Sequence, residues 1–188
     1  MAEIYADGGI RRRLIEAGLK ELLEHGSRDF SLRRVALGAQ VSCAAPYRHF
    51  KDKDELVRAV IAQIRENWVL LASEIGGVFE RGTSEHVTEL IAACVRFWIA
   101  GDNFAPFLSA GELREFDLPI ITATDAYAER HNINDEERSE LCSALLALTY
   151  GTVTLITSKR LEPTPAVDAL RKQALALLEK YADRAPSA

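Results

Sequence analysis

The sequence predicts an all-α protein. Three observations carry that expectation. Apolar residues recur every three to four positions in segment after segment, cap-type residues stand at the head of several of those segments, and the one β-branched stretch has no second strand to pair with. With 188 residues, 48% apolar and 27% charged, the chain has material for one large domain or for a small domain fused to a larger one.

Residues 1–9 are small and polar, with Gly8-Gly9, and read as a frayed end. A first helix is expected over 10–25, where Ile15, Leu19, Leu22 and Leu23 line one face and Gly26 stops it. Ser31 reads as the cap of a second helix over 32–38, with Phe30 and Val35 placed as a hydrophobic staple. Ala39-Gln40-Val41 breaks the pattern, and Ser42 is a cap candidate for a third helix over 43–50. Asp52 with Glu55 three residues on starts a fourth helix, which carries Leu56, Val60, Ile64, Val69 and Leu70 to about residue 75.

A fifth helix is expected over 84–100, carrying Val87, Leu90, Ile91, Cys94, Val95 and Trp98. Gly101, Pro106, Gly111 and Pro119 predict short helices or loops over 101–119, then another helix over 119–130. Asn134 with Glu137 opens a long helix to about residue 159. Thr164-Pro165 reads as a cap followed by proline at the first helical position, for a last helix to about residue 181. Residues 152–157 (Thr-Val-Thr-Leu-Ile-Thr) favour a strand by propensity. The spacing Leu141, Leu145, Leu148, Thr152, Ile156 runs through them and assigns them to the long helix.

Composition narrows the function classes. The longest apolar stretch, 141–156, is interrupted by Ser, Thr and Gly, so no membrane span is expected. No basic-then-apolar secretory pattern opens the chain. Cys43, Cys94 and Cys142 lie far apart, with no histidine at metal-ligand spacing, which suits a reduced cytoplasm and predicts no metal and no cofactor. The net charge of −5 is unevenly spread: residues 1–57 carry ten Lys/Arg against nine Asp/Glu, and the remainder thirteen against nineteen. Within 27–53, six cations (Arg28, Arg33, Arg34, Arg48, Lys51, Lys53) face only Asp29 and Asp52. A local basic surface on an acidic body can hold phosphates that the body repels.

Two short helices joined by three residues, following a longer helix that can cover their backs, have helix-turn-helix geometry. The second short helix of such a unit fits a major groove. Leu32-Arg33-Arg34-Val35-Ala36, Ala39-Gln40-Val41-Ser42 and Tyr47-Arg48-His49-Phe50-Lys51-Asp52-Lys53-Asp54-Glu55-Leu56 together resemble the tetracycline-repressor (TetR) family of bacterial regulators over about residues 10–60. The resemblance implies an N-terminal three-helix DNA-binding domain over 1–56 and a helical ligand-binding and dimerisation domain over 57–188.

From the residues themselves, Ser31 and Ser42 are caps whose helix N-termini suit phosphates, and Arg48 is the candidate for a base or a phosphate. Arg33 and Arg34 are candidates for the backbone grip, or else a solvated face. The resemblance implies that Cys43, Ala44 and Ala45 face base edges and that Tyr47, His49 and Lys53 contact phosphates. Packing against the first helix is the alternative for Tyr47, and an ordinary surface position for His49. Phe50 reads as core. Two departures from the family pattern stand out. Gln40 occupies the turn position usually held by glycine, and Pro46 replaces a branched apolar residue within the third helix.

The helix over 135–159 is apolar on more than one side, and the helix over 165–181 carries a stripe of Val167, Leu170, Ala174, Leu177, Leu178 and Tyr181. Paired with their symmetry mates, they would make a four-helix homodimer interface, as the resemblance also implies. Such a dimer would read a palindromic double-stranded DNA operator. The middle of the chain is rich in aromatics. Trp68, Phe97, Trp98, Phe104, Phe107, Phe116 and Tyr127, with Glu112, Arg114 and Asn103 as polar anchors, are candidates for a pocket that takes a small apolar, aromatic or cationic effector. Simple core packing is the alternative for each. No phosphate loop, nucleophile elbow or tuned carboxylate pair points to an enzyme. The remaining alternative is a helical interaction module that has lost DNA binding through Gln40 and Pro46.

Overall fold

The computed structural model describes residues 2–26, 29–100 and 110–184. Asn103, Phe104 and Phe107 lie outside the described residues, as does the side chain of Glu112. The described residues form α1 (Ala2–His25), α2 (Leu32–Gly38), α3 (Pro46–His49), α4 (Lys53–Val78), α5 (Ser84–Ala100), α6 (Ala110–Arg130), α7 (Asp135–Thr157) and α8 (Pro163–Ala182), with no strand among them. The all-α expectation holds. The chain divides into two compact units. One contains α1–α3 with α4 as far as Asn67; the other contains α4 from Trp68 with α5–α8.

In the first unit, Leu14 and Leu22 of α1, Val35 of α2 and Leu56 and Val60 of α4 are fully buried, and Phe30 and Phe50 close the core from the connecting turns. Gly18 of α1 leaves room for Val60 of α4: a Cβ there would lie 2.8 Å from Val60 Cγ2. The capping expected for α4 is present. Asp52 Oδ1 accepts the Glu55 N–H (2.8 Å), and Glu55 Oε2 accepts the Lys51 N–H (2.7 Å). α1 starts at Ala2 rather than at residue 10. Two glycines cost a helix roughly 1 kcal/mol each relative to alanine but do not forbid it.

In the second unit, α5 is the buried centre, with ten buried residues from His86 to Trp98. The α4–α5 turn needs Gly82, whose φ is +77° and whose Cβ would stand 2.7 Å from the Ala126 carbonyl oxygen. α6 is one helix with Pro119 inside it, not loops followed by a helix from Pro119. The proline forfeits one helical hydrogen bond, but Phe116, Ile120 and Ala123 around it are buried, and that packing overrides local propensity. α7 is capped as expected, Asn134 Oδ1 accepting the Glu137 N–H at 2.9 Å. Its strand-prone stretch is helical. Thr149, Thr152 and Thr154 each donate their hydroxyl to the carbonyl four residues back at 2.8 Å, so no polar atom competes with the helix. α8 starts at Pro163, not Pro165, with Glu162 as the cap residue. Amides of a first turn have no helical partner, so both prolines fit there.

The most apolar 18-residue window of α7 has a mean hydropathy of 1.4, long and apolar enough by composition to cross a membrane, contrary to the sequence expectation. Only 22% of that window is buried within the chain.

Candidate nucleic-acid interface

The first short helix is tied down at its head. Ser31 caps α2 by accepting the Arg34 N–H (3.4 Å), and its own N–H donates to Glu21 Oε1 (2.9 Å). Arg34 forks onto Glu21, Nε donating at 2.8 and 3.0 Å and Nη2 at 2.5 Å, and also donates to the Asp29 carbonyl. Burial pushes the Glu21 carboxyl up, but the Arg34 and Ser31 hydrogen bonds and the charges of Arg34 and His25 outweigh it, leaving the group below its ordinary value. Arg34, though exposed, is thus committed to holding α2 on α1; Arg33 beside it is exposed as well. Sequence reasoning missed Glu21. The available signal was its place on the buried stripe of α1, between Gly18 and Leu22.

The turn closes by two backbone bonds, Gln40 N–H to the Leu37 carbonyl and Val41 N–H to the Ala36 carbonyl, both at 3.0 Å. That is the Schellman pattern that ends many helices, and it places Gln40 at φ 55°, in the left-handed region. The glycine-like position is therefore occupied by a residue with a Cβ, and the turn keeps its winding.

The second short helix is shorter than expected. Ser42 to Ala45 form a turn (Ala45 N–H to Ser42 carbonyl, 2.9 Å), and the α-helix proper starts at Pro46. Proline has no N–H and a φ suited to a first helical position, so it sets the start of the helix instead of breaking its middle. Ala45, not Ser42, is the cap residue. Ser42, Cys43 and Ala44 are exposed in the turn. Ala45 is 8% exposed, so it packs into the unit and does not face outward as the resemblance implied. On α3, Tyr47 is 65% exposed, which rules out the packing role. Arg48 is exposed, His49 half-buried, and Phe50 is core with the Arg11 guanidinium 5.0 Å from its ring. Lys53 Nζ lies 5.6 Å from the Phe30 ring. The arrangement is a short, rigid segment with a phenol, a guanidinium and an imidazole on it, followed by a lysine at the head of α4.

In the second unit, four of the expected effector-site residues meet. Trp68 and Phe97 stand 5.4 Å apart, Phe97 and Phe116 6.2 Å, and Trp98 and Phe116 5.3 Å between ring centroids. The Trp68 indole N–H donates to the Phe116 carbonyl (2.9 Å). Tyr127 does not join them. Eleven residues along α6 from Phe116 put it about 16 Å away, where it stacks near His131 (4.3 Å). Trp68, Trp98 and Phe116 are almost fully buried and Phe97 half-buried. A separate cleft of about 520 Å³ has walls of Val69 and Ala72 from α4, His86 and Leu90 from α5, and Leu118 and Pro119 from α6. None of the expected effector residues lines that cleft.

Residues 14–60 match the family model described as bacterial regulatory proteins, tetR family. No curated protein matches the chain. Solved structures match over nearly its whole length. A protein of unknown function from Rhodococcus sp. RHA1 is 20% identical with a TM-score of 0.72, covering 92% of this chain and 95% of its own. A TetR transcription regulator from Haloarcula marismortui is 16% identical with a TM-score of 0.72, covering 92% and 97%. NalD, the secondary repressor of the MexAB-OprM multidrug efflux pump in Pseudomonas aeruginosa, is 19% identical with a TM-score of 0.58, covering 93% and 96%. At these identities the likeness is one of fold.

Proposed function

We propose that this chain is a TetR-family transcriptional regulator that represses genes by binding a palindromic DNA operator as a homodimer and releases it when a small molecule occupies the second unit. The carrying observation is the outward Tyr47 and Arg48 on a short helix whose neighbours Ala45 and Phe50 are buried. In this reading Ser42, Cys43 and Ala44 meet base edges, and Arg48 reads a base. Tyr47, His49, Lys53 and Arg33 hold phosphates. Arg34 contributes by fixing α2 through Glu21.

The low burial of α7 supports the dimer. A helix this apolar needs a cover. Its exposed line of Ser143, Ala147, Gly151 and Thr154 is small enough to let a symmetry mate approach closely. α4, continuous from Lys53 to Val78 and contributing to both units, is the element proposed to couple effector to reader. An effector acts only through a difference in affinity for the two states of the reader.

The test is fluorescence anisotropy on duplexes from the DNA beside the gene, repeated over a range of salt. Tight binding that weakens linearly in log–log salt, by nearly one unit of slope per phosphate contact, is expected. Tyr47→Ala and Lys53→Ala should weaken all sequences alike, and Arg48→Ala should relax preference at one base position. No salt-sensitive affinity for any duplex would overturn the reading.

A further inference from the structure

The second unit holds a carboxylate that no basic side chain among the described residues neutralises. Asp117 follows Phe116 on α6, is half-buried, and accepts the Tyr150 hydroxyl at 2.5 Å. Among the described residues no Lys, Arg or His pairs with it. The segment 101–109 contains no basic residue that could do so. The contrast lies on the same helix. Asp125, eight residues on, is met by Arg138 Nη1 at 2.7 Å.

The Asp117 charge is felt by three weak acids around it, Cys94, Cys142 and Tyr150. Burial and then Asp117 raise the Cys94 thiol to about 12. Burial, then Asp125 and Asp117, raise the Cys142 thiol, and burial with the Asp117 hydrogen bond and charge raises the Tyr150 phenol. Asp117 itself is raised by burial, a rise the Tyr150 hydrogen bond only partly offsets.

A charge withdrawn from water needs a partner. The surroundings say what kind of partner fits. The Tyr150 ring stands 5.9 Å from Trp98, edge to face, and Trp98 stands 5.3 Å from Phe116. Asp117, Cys142 and Tyr150 are half-buried while Trp98 and Phe116 are buried, so the cluster meets solvent at the Asp117–Tyr150 edge. Electron-rich ring faces attract cations, and most strongly where water is scarce. An inorganic cation would leave the rings unused, and a neutral aromatic molecule would leave the carboxylate unmatched.

We propose that the effector site includes Asp117 and takes a monovalent organic cation with an apolar, flat or branched body, its charge against Asp117 and its body against the Tyr150 ring at the accessible edge of the Trp98–Phe116 cluster. This rests on the reading of the second unit as an effector-sensing body and names the chemistry of what it senses. Tyr150 is a positioning residue: its hydroxyl fixes the carboxylate toward the rings.

Isothermal titration calorimetry of the intact protein with benzyltrimethylammonium and with its neutral isostere neopentylbenzene, at fixed ionic strength, tests the proposal. The cation should bind at least tenfold more tightly than the isostere. Asp117→Asn should abolish that preference while leaving affinity for the isostere within about twofold. Tyr150→Phe should reduce the preference by a smaller factor. Equal affinity for the two probes, no heat from the cation, or an unchanged preference in Asp117→Asn would each overturn the cation site. Anisotropy on the same preparations separates this outcome from failure of the regulator reading. Ligand-free Asp117→Asn should bind DNA as the parent does, and a protein that binds the cation but no duplex would sink the operator and spare Asp117.

Discussion

At the scale of single residues, the reader depends on a buried carboxylate. Glu21 accepts from Ser31 and Arg34 and carries a pKa below its ordinary 4.5. A carboxyl lowered on folding contributes stability that is complete above its unfolded pKa and is lost as pH falls through the folded one. Glu21→Gln should therefore unfold at lower urea concentration at pH 7, and its deficit against the parent should shrink steadily as unfolding is repeated below about pH 4.5. A deficit that stays constant with pH would mean the carboxylate charge has no part in the clamp. Gln40 makes the opposite case. A side chain in the left-handed region costs about 1–2 kcal/mol, and glycine gives back about 0.5–1 through the unfolded chain. Gln40→Gly should raise the unfolding free energy by roughly 0.5–1 kcal/mol, read from the shift of the urea midpoint at unchanged slope. Ser31, Asp52 and Asn134 were legible as caps because capping is a local rule written within four residues. Glu21 was not, because its partners lie ten and thirteen residues away.

At the scale of elements, period and caps predicted α2 and α5 with their boundaries, while proline misled twice and in opposite directions. Pro46 was expected inside a helix and instead begins one; Pro119 was expected to begin a helix and lies inside one. What decides is whether the chain before each proline has buried contacts to hold it helical. Phe116 and Ile120 supply them around Pro119, while Ser42 to Ala44 are exposed and turn instead. The shortened α3 is also why Ala45 is turned inward, a reversal no pattern in the sequence could show. The packing of α1 on α4 depends on the missing side chain at Gly18. Alanine there must displace Val60, a stiff branched residue whose Cγ2 would be 2.8 Å from the new methyl. Gly18→Ala should lower stability by about 1–3 kcal/mol despite its better helix propensity. A pair with Val60→Ala should recover part of that loss, as a thermal-melt double-mutant cycle would show.

At the scale of the whole molecule, the proposed dimer rests on a helix that its own chain leaves largely uncovered. Gly151 offers a clean probe, because it is exposed on α7 and a Cβ there meets nothing within 4 Å in the protomer. Gly151→Glu should leave the protomer folded and helical, while mass by light scattering falls from twice 20.8 kDa toward 20.8 kDa. Affinity for a palindromic duplex should fall with it, while a single half-site is bound as before. A dimer that survives the substitution would place the contact elsewhere. Charge and spacing suggested a reader over 1–56 and a larger helical body behind it, whereas the compact units divide at Asn67 and Trp68, within α4. Aromatic content suggested an apolar, aromatic or cationic guest without choosing among them, and the placement of Asp117 beside Tyr150 at the Trp98–Phe116 cluster favours the cation.

The protein has two tryptophans, Trp68 and Trp98, and both sit among the rings of that cluster, while the reader has none. Indole emission is therefore a built-in optical gauge of the second unit alone. A guest arriving beside Trp98 would change the colour or brightness of the protein, and a duplex seated on Tyr47 and Arg48 would not touch it directly. Any spectral change on adding DNA would accordingly be a message carried from one half to the other, so coupling between them can be read in a cuvette without labelling the chain.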